Sequence, residues 1–152
     1  MTSATDDVNE SATPEMTEQL TRVVADLEIR NLLARVAQLA DHGELEEYIL
    51  LWTQDASWEF PGAPRRGREA IMEGARQRRA ENVTGPGSAT RHVITTVVVK
   101  VEDALTATAD SYWSFWRETT TTPVLFNMGY YHDTVRFVDG AWRIARREIT
   151  VG

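Results

Sequence analysis

Residues 124–151 read VLFNMGYYHDTVRFVDGAWRIARREITV, and they give the strongest indication of the fold. Near its middle, Asp139-Gly140 separates two segments that are rich in aromatic and β-branched residues. An Asp-Gly pair suits the two central positions of a tight hairpin turn. The stretch therefore predicts two antiparallel strands, 124–138 and 141–151.

Counting back from this turn predicts the register of the hairpin. Val135 should face Ile144, and Asp133 should face Arg146. Opposite charges that face each other across an antiparallel pair stabilise it modestly. We therefore interpret Asp133 and Arg146 as a structural ion pair and not as catalytic groups.

The segments before this hairpin predict the rest of the fold. Residues 90–101 and 105–118 read as two more strands, while the chain before residue 90 is mainly helical. The hydroxyl, proline and acid of Thr13-Pro14-Glu15 predict a helix start, and Gly43 predicts its end. A helix over 44–52, a strand over 55–60 and a helix over 68–79 should follow. Helices followed by antiparallel strands predict an α+β fold with a curved sheet wrapped around the first helix.

The composition of the chain argues against several kinds of site and partner. The chain has 152 residues, a net charge of −7 and no cysteine, so we expect no disulfide, no thiolate site and no nucleic-acid partner. No apolar run reaches the length of about 18 residues that a membrane span needs. The polar, acidic N-terminus is unlike a signal peptide, so we expect a soluble cytoplasmic protein. Residues 1–12 should form a disordered tail and residues 13–152 a single domain.

Asp41 and His92 are the candidate catalytic residues. Asp41 ends the long helix, where the helix dipole disfavours a carboxylate by about 0.3–1 kcal/mol, so a hydrogen-bonding partner is expected. His92 opens a Val/Thr-rich strand and should share a face with Ile94, Thr96 and Val98. A neutral imidazole can take up a proton near neutral pH, and a carboxylate on its other nitrogen would fix the tautomer. No carboxylate cluster accompanies the histidines, so no metal site is expected.

Aromatic residues predict a pocket for a small apolar molecule. Thirteen Trp, Tyr and Phe residues (five, four and four) are many for this length. The candidate substrate-binding residues are Trp58, Phe60, Tyr112, Asn127 and Tyr131. A Tyr hydroxyl could donate to a substrate carbonyl as its enolate forms. We interpret Arg65-Arg66 and Arg76, Arg78 and Arg79 as solvated surface, and the Gly/Pro-rich residues 82–88 as a candidate mobile lid.

Several short segments occur in the order and spacing of a known family. They are Ile29-Arg30-Asn31-Leu32-Leu33, Asp41 with Trp52, Asp55-Ala56 and Trp58, Arg91-His92, Gly129-Tyr130-Tyr131-His132-Asp133, and Asp139-Gly140-Ala141-Trp142-Arg143-Ile144. Together they resemble the SnoaL-like branch of the nuclear-transport-factor-type superfamily, which includes scytalone dehydratase and hexachlorocyclohexane dehydrochlorinase. The resemblance implies a cone-shaped α+β barrel without a cofactor, and it places an Asp–His dyad on Asp41 and His92. The chain departs from the family at Val36, where dehydrochlorinases have Lys, and at Ala40, where scytalone-type dehydratases have Tyr.

The resemblance implies a cofactor-independent lyase or isomerase. It would act as a dehydratase, cyclase or double-bond isomerase on an apolar cyclic, polyketide- or steroid-like substrate, with His92 as base and Asp41 as its orienting partner. A homotrimer is expected, with a dimer as the next choice. Two alternatives stay open: a non-catalytic β subunit of an aromatic-ring-hydroxylating dioxygenase, and a small-molecule binding protein of the same fold.

Overall fold

The structure, a computed structural model, describes residues 12–152. The tail expected over residues 1–12 therefore lies outside the described residues, apart from Ala12. Three helices lie in the first half of the chain: α1 (Pro14–Asp41), α2 (Leu45–Leu50) and α3 (Gly67–Ala80). Helix α1 begins as predicted, because the hydroxyl oxygen of Thr13 accepts a 3.2 Å hydrogen bond from the backbone N–H of Met16.

Six strands form one curved, open sheet. They are β1 (Trp52–Glu59), β2 (Arg65–Arg66), β3 (Arg91–Val101), β4 (Thr106–Arg117), β5 (Val124–Val138) and β6 (Ala141–Val151). Their order across the sheet is β2-β1-β6-β5-β4-β3, in which β1 and β6 run parallel and the other neighbours antiparallel. The predicted α+β fold, with a curved sheet against a long N-terminal helix, is confirmed.

Helix α1 covers the inner face of the sheet with one apolar stripe. The buried residues of the stripe recur every three or four positions, as a helix face requires: Ala25, Ile29, Leu32, Leu33, Val36 and Leu39. They pack into one core with Trp52, Val135 and Ile144, each of which is fully buried. Burial of this stripe fixes the position of the last turn of α1, which carries Asp41.

The second helix is shorter than predicted. Trp52, expected as its last apolar residue, is instead the first residue of β1. Its carbonyl oxygen accepts hydrogen bonds of 2.8 and 2.6 Å from the guanidinium of Arg68, and its Cα pairs with that of Ile144. Tertiary contacts with α3 and β6 therefore outweigh the local helical pattern.

The hairpin of β5 and β6 follows the predicted register only near the turn. Val135 faces Ile144 as predicted, but Asp133 faces Arg147 and not Arg146. Ala145 has no partner across the pair, so a β-bulge shifts the register by one residue. A shift of one residue moves every following side chain to the other face, and Arg147 thereby turns inward.

A second bulge corrects the predicted face of β3. Thr96 has a φ of +51°, and the pairing with β4 shifts between Thr95 and Val98. His92 and Ile94 point inward as predicted, but Val98 is 63% exposed, while the partly buried Val97 and Val99 pack against the core. Among residues 12–152, no helix is long and apolar enough to cross a membrane.

Candidate active site

A cavity of about 270 Å³ lies between the three helices and the inner face of the sheet. Apolar and aromatic side chains make up most of its wall. The lining residues are Val36, Ala37, Ala40, Tyr48, Trp58, Phe60, Arg78, Val83, Thr84, His92, Ile94, Trp113, Phe115, Arg117, Phe126, Asn127, Tyr131, Arg147 and Ile149.

Asp41 and His92 are joined twice at the edge of this cavity. One carboxylate oxygen of Asp41 accepts a 2.8 Å hydrogen bond from the backbone N–H of His92. The other lies 2.7 Å from the imidazole Nδ1, which acts as the donor when the carboxylate is ionised. Asp41 is only 1% exposed, while His92 lines the cavity. Within residues 12–152, no hydrogen bond engages the other ring nitrogen, Nε2.

The end of α1 is held in place by a cation from α3. The guanidinium of Arg79 donates hydrogen bonds of 2.9 and 2.5 Å to the carbonyl oxygens of Leu39 and Gly43. Carbonyl groups at a helix C-terminus carry partial negative charge, so a cation stabilises this end. The interpretation of Arg79 as solvated surface was therefore wrong, and its contacts help to position the neighbouring Asp41.

Two of the predicted aromatic residues, Trp58 and Phe60, form one wall of the cavity. Their rings stack with centroids 5.3 Å apart. Phe115, which the sequence analysis missed, packs against the imidazole of His92 at 4.7 Å. Trp113, which was not among the predicted substrate-binding residues, stacks on Tyr131 at 5.6 Å. Strict alternation along β4 could have found Phe115 and Trp113, since both occupy inward positions.

Asn127 and Tyr131 supply polar groups to the cavity. Phe115 pairs with both His92 and Asn127, so these three residues form one row across β3, β4 and β5. Burial raises the pKa of Tyr131 to about 12, although the nearby Arg147 works in the opposite direction. The Tyr131 hydroxyl therefore stays protonated and able to donate at neutral pH.

Tyr112 does not reach the cavity, which corrects its prediction as a substrate-binding residue. It is 54% exposed on the outer face of β4, because the neighbouring Trp113 takes the inward position. The same outer face carries Asp110, whose carboxylate accepts 2.5 Å hydrogen bonds from Tyr130 and His132. These bonds lower the pKa of Asp110.

Three arginines that were not predicted to line the pocket also do so: Arg78, Arg117 and Arg147. The bulge at Ala145 turns the side chain of Arg147 to the inner face of the sheet, where it donates hydrogen bonds of 2.7 and 2.8 Å to Asp133. Arg78, interpreted as solvated surface, instead packs its guanidinium 5.0 Å from the ring centroid of Trp58. Neither the position of Arg147 nor that of Arg78 follows from local sequence pattern.

Both positions at which the chain departs from its resembled family face the cavity. Val36 and Ala40 both line it. Their apolar side chains leave this wall without a polar group from α1.

The loop expected as a lid contributes Val83 and Thr84 to the lining. Its backbone is tied at both ends, since Val83 donates to the carbonyl of Arg78 at 2.8 Å and accepts from the Thr90 hydroxyl at 3.0 Å. Over the described residues, no three His, Asp or Glu side chains are grouped as a metal site would need.

Comparisons with known proteins give the family and the fold. Residues 21–148 match the sequence model of a family described as SnoaL-like domain. An NTF2-like protein with a cystatin-like fold from Novosphingobium aromaticivorans is 27% identical, with a TM-score of 0.79, and the match covers 97% of this chain and 92% of that one. A variant of Rv3472, a protein of unknown function from Mycobacterium tuberculosis, is 29% identical with a TM-score of 0.74, over 85% of this chain and 77% of that one.

A scytalone dehydratase-like protein from Novosphingobium aromaticivorans is 21% identical with a TM-score of 0.72, and the match covers 88% of each chain. At this identity the likeness shows a shared fold alone. Comparison with curated proteins gives no match.

Proposed function

The chain belongs to the SnoaL-like domain family, and on that basis we propose that it is a cofactor-independent lyase or isomerase. Its substrate would be an apolar cyclic molecule of polyketide- or steroid-like type. The observation that carries this proposal is the double contact between Asp41 and His92 at the cavity wall.

His92 is the base in this proposal. Asp41 fixes the tautomer in which Nδ1 carries the proton, so the lone pair of Nε2 is free to take a proton from a substrate carbon next to a carbonyl. The imidazolium that forms is stabilised by the buried carboxylate. A purely structural carboxylate would need only the backbone bond, whereas here the second oxygen holds the ring.

Removal of that proton leaves its electron pair on the enolate oxygen, which needs a donor. Tyr131 is the proposed donor, because its hydroxyl keeps its proton and its ring forms part of the cavity wall. The guanidinium of Arg147 packs against the Tyr131 ring, with its carbon 4.0 Å from the ring centroid, and so helps to hold the ring in place.

The second half of the reaction returns the proton. If the substrate carries a hydroxyl two carbons from its carbonyl, the enolate electrons form a double bond and expel the hydroxyl, which takes the proton from His92 and leaves as water. If it carries no leaving group, the proton returns to another carbon of the conjugated system and the double bond moves. Either outcome regenerates the neutral imidazole.

The test is exchange of the α-protons of 2-tetralone, a bicyclic ketone, in D₂O, followed by NMR. The wild-type chain should accelerate the exchange, and His92→Ala should lower the rate by about 10²–10⁴-fold, the usual contribution of a general base. Asp41→Asn should also lower it. His132→Ala is the matched control, because this histidine lies on the outer face and contacts Asp110.

A His92→Ala chain that exchanges at the wild-type rate would end this mechanism. A wild-type chain that binds the ketone without exchanging it would instead favour the binding-protein alternative. Co-purification with an iron-bearing α subunit would favour the dioxygenase alternative.

The assembly stays a prediction, with a homotrimer expected and a dimer next. Val98, Tyr112 and Met128 are at least half exposed on the outer face of the sheet, at 63%, 54% and 50%. A second copy would remove these apolar groups from water. Light scattering at micromolar concentration should show no stable monomer.

A further inference from the structure

The charged groups that line the cavity are all basic. Arg78, Arg117 and Arg147 contribute to the wall, and no Asp or Glu of the described residues does. Arg147 is neutralised by its two hydrogen bonds to Asp133. Arg117 is exposed and lies 3.3 Å from the ring centroid of Phe126.

Arg78 differs from the other two arginines. Its side chain is partly buried, and within residues 12–152 its guanidinium makes neither a hydrogen bond nor an ion pair. Its neighbours on α3 do have partners: Arg79 binds two carbonyl groups, and Arg76 lies 3.8 Å from Glu73. Arg78 packs against the face of the Trp58 ring. This contact leaves the N–H groups of its guanidinium free to donate hydrogen bonds.

The charge of Arg78 acts on the polar groups of the cavity. Burial raises the pKa of Tyr48 and of Tyr131, and the positive charge of Arg78 opposes this rise at both hydroxyls. Arg78, Tyr48 and Tyr131 all line this cavity. A ligand in it would encounter a positive charge together with neutral hydroxyl donors.

We infer that Arg78 binds an anionic oxygen group of the substrate, namely a carboxylate on a ring-bearing molecule. The inference rests on the proposed function for the identity of the site, and it changes the expected substrate from a wholly apolar ring system to one that also carries a carboxylate. A guanidinium fork matches a carboxylate with two parallel hydrogen bonds, which are stronger than bonds between neutral groups.

The position of Asp41 favours one orientation of the bound substrate. Its carboxylate places negative charge behind His92, and like charges repel. A substrate carboxylate is thus drawn to Arg78 on α3 and away from the Asp41–His92 pair. The ring of the substrate then lies against the aromatic wall, with the neutral part of the molecule presented to the base.

The test compares the binding of 2-naphthoic acid with that of 2-naphthamide, its neutral isostere, by quenching of tryptophan fluorescence at pH 7.5. The wild-type chain should bind the acid roughly tenfold more tightly than the amide, as loss of a charge-assisted contact predicts. Arg78→Gln should remove this preference, and Arg78→Lys should keep part of it. Added NaCl should weaken binding of the acid alone.

Arg76→Gln is the matched control. It removes the same charge from the same helix, but at a residue that is exposed and does not line the cavity. The net charge of −7 would repel an acid from a distance. If Arg76→Gln still prefers the acid to the amide, the preference therefore comes from groups inside the cavity and not from the overall charge. Thermal unfolding checks that each variant folds.

Equal affinity for acid and amide in the wild-type chain would overturn the inference. So would an undiminished preference in Arg78→Gln, or failure of both probes to bind at millimolar concentration. His92→Ala separates this inference from the proposed function. A preference retained in His92→Ala supports the anion site, whereas unchanged exchange activity in the same variant would remove the mechanism and leave the anion site standing.

Discussion

Arg147 and Asp133 meet through two parallel hydrogen bonds inside the protein, Nε to Oδ1 at 2.7 Å and Nη2 to Oδ2 at 2.8 Å. Their side chains are 5% and 0% exposed. Burial works against the charged guanidinium, but the attraction and hydrogen bonds of Asp133 outweigh it, so the pKa of Arg147 is raised. The pair stays ionised beneath the ring of Tyr131 and forms a fixed part of the cavity.

Removing Asp133 should be far more costly than removing a surface carboxylate. Asp133→Asn leaves the charge of Arg147 buried without its partner, which should lower the free energy of unfolding by about 3–5 kcal/mol. Asp55→Asn is the control, since Asp55 pairs with Arg136 but its side chain is 71% exposed, and it should cost less than about 1 kcal/mol. Urea unfolding measures both, and equal costs would contradict the prediction.

Stability should fall in alkali partly because of Tyr131. Burial raises the pKa of this residue from its ordinary value of 10 to about 12, so between these values the folded chain holds a proton that the unfolded chain has released. The contribution is complete below pH 10 and is lost as pH rises towards 12, at up to about 1.4 kcal/mol per pH unit. Urea unfolding at several pH values should give a shallower decline for Tyr131→Phe.

The control for this decline is Tyr112→Phe, because Tyr112 is 54% exposed on the outer face of the sheet. Its slope between pH 10 and 12 should match that of the wild-type chain. Identical slopes for Tyr131→Phe and Tyr112→Phe would show that Tyr131 does not hold its proton more firmly in the folded state.

A larger side chain at Ala37 should block the cavity from the α1 side. Ala37 lines the cavity, whereas Ala34, one turn earlier, is exposed. Ala37→Phe should therefore weaken binding of 2-tetralone about tenfold or more by filling space that the ligand needs. Ala34→Phe should leave the dissociation constant unchanged. Fluorescence titration compares the two variants, and equal weakening would mean that the ligand binds elsewhere.

Gly129 leaves room for the strand beside it and for an aromatic ring. A Cβ at this position would lie 2.0 Å from the carbonyl oxygen of Thr150 and 2.9 Å from Cζ2 of Trp113. Gly129→Ala should therefore lower the free energy of unfolding by at least about 1–3 kcal/mol and displace Trp113 from the cavity wall. Met128→Ala, at a half-exposed neighbour, should cost less than about 1 kcal/mol, as thermal unfolding of both variants can check.

Some features of the fold could be predicted because their causes are local. The Asp139-Gly140 turn selects its own geometry, and Thr13 caps the helix that follows it. The spacing of Ile29, Leu33 and Val36 needs only the period of a helix to define a buried face. These signals lie within a few residues of the structure that they specify.

The contact within the candidate site could not be predicted from local sequence patterns. Residues alone supplied the reasons to suspect Asp41 and His92, but 51 positions separate them, and only the resemblance suggested that they meet. Their contact depends on α1 packing across the sheet and on Arg79 binding the end of α1. No pattern within either segment contains that information.

The start of the first helix, the hairpin turn and the order of the three helices and five longer strands follow from the sequence, because dihedral preferences and apolar spacing act between near neighbours. The short strand β2 does not, since it exists only through its pairing with β1. Tertiary structure alone decided which face several side chains occupy. The bulges at Ala145 and Thr96 each change the phase of a strand by one residue, which turns Arg147 inward and Val98 outward. The bulge at Ala145 brings Arg147 opposite Asp133. Counting alternate residues along β6 cannot predict this contact, because Asp133 lies on β5 and the strength of the ion pair depends on its burial.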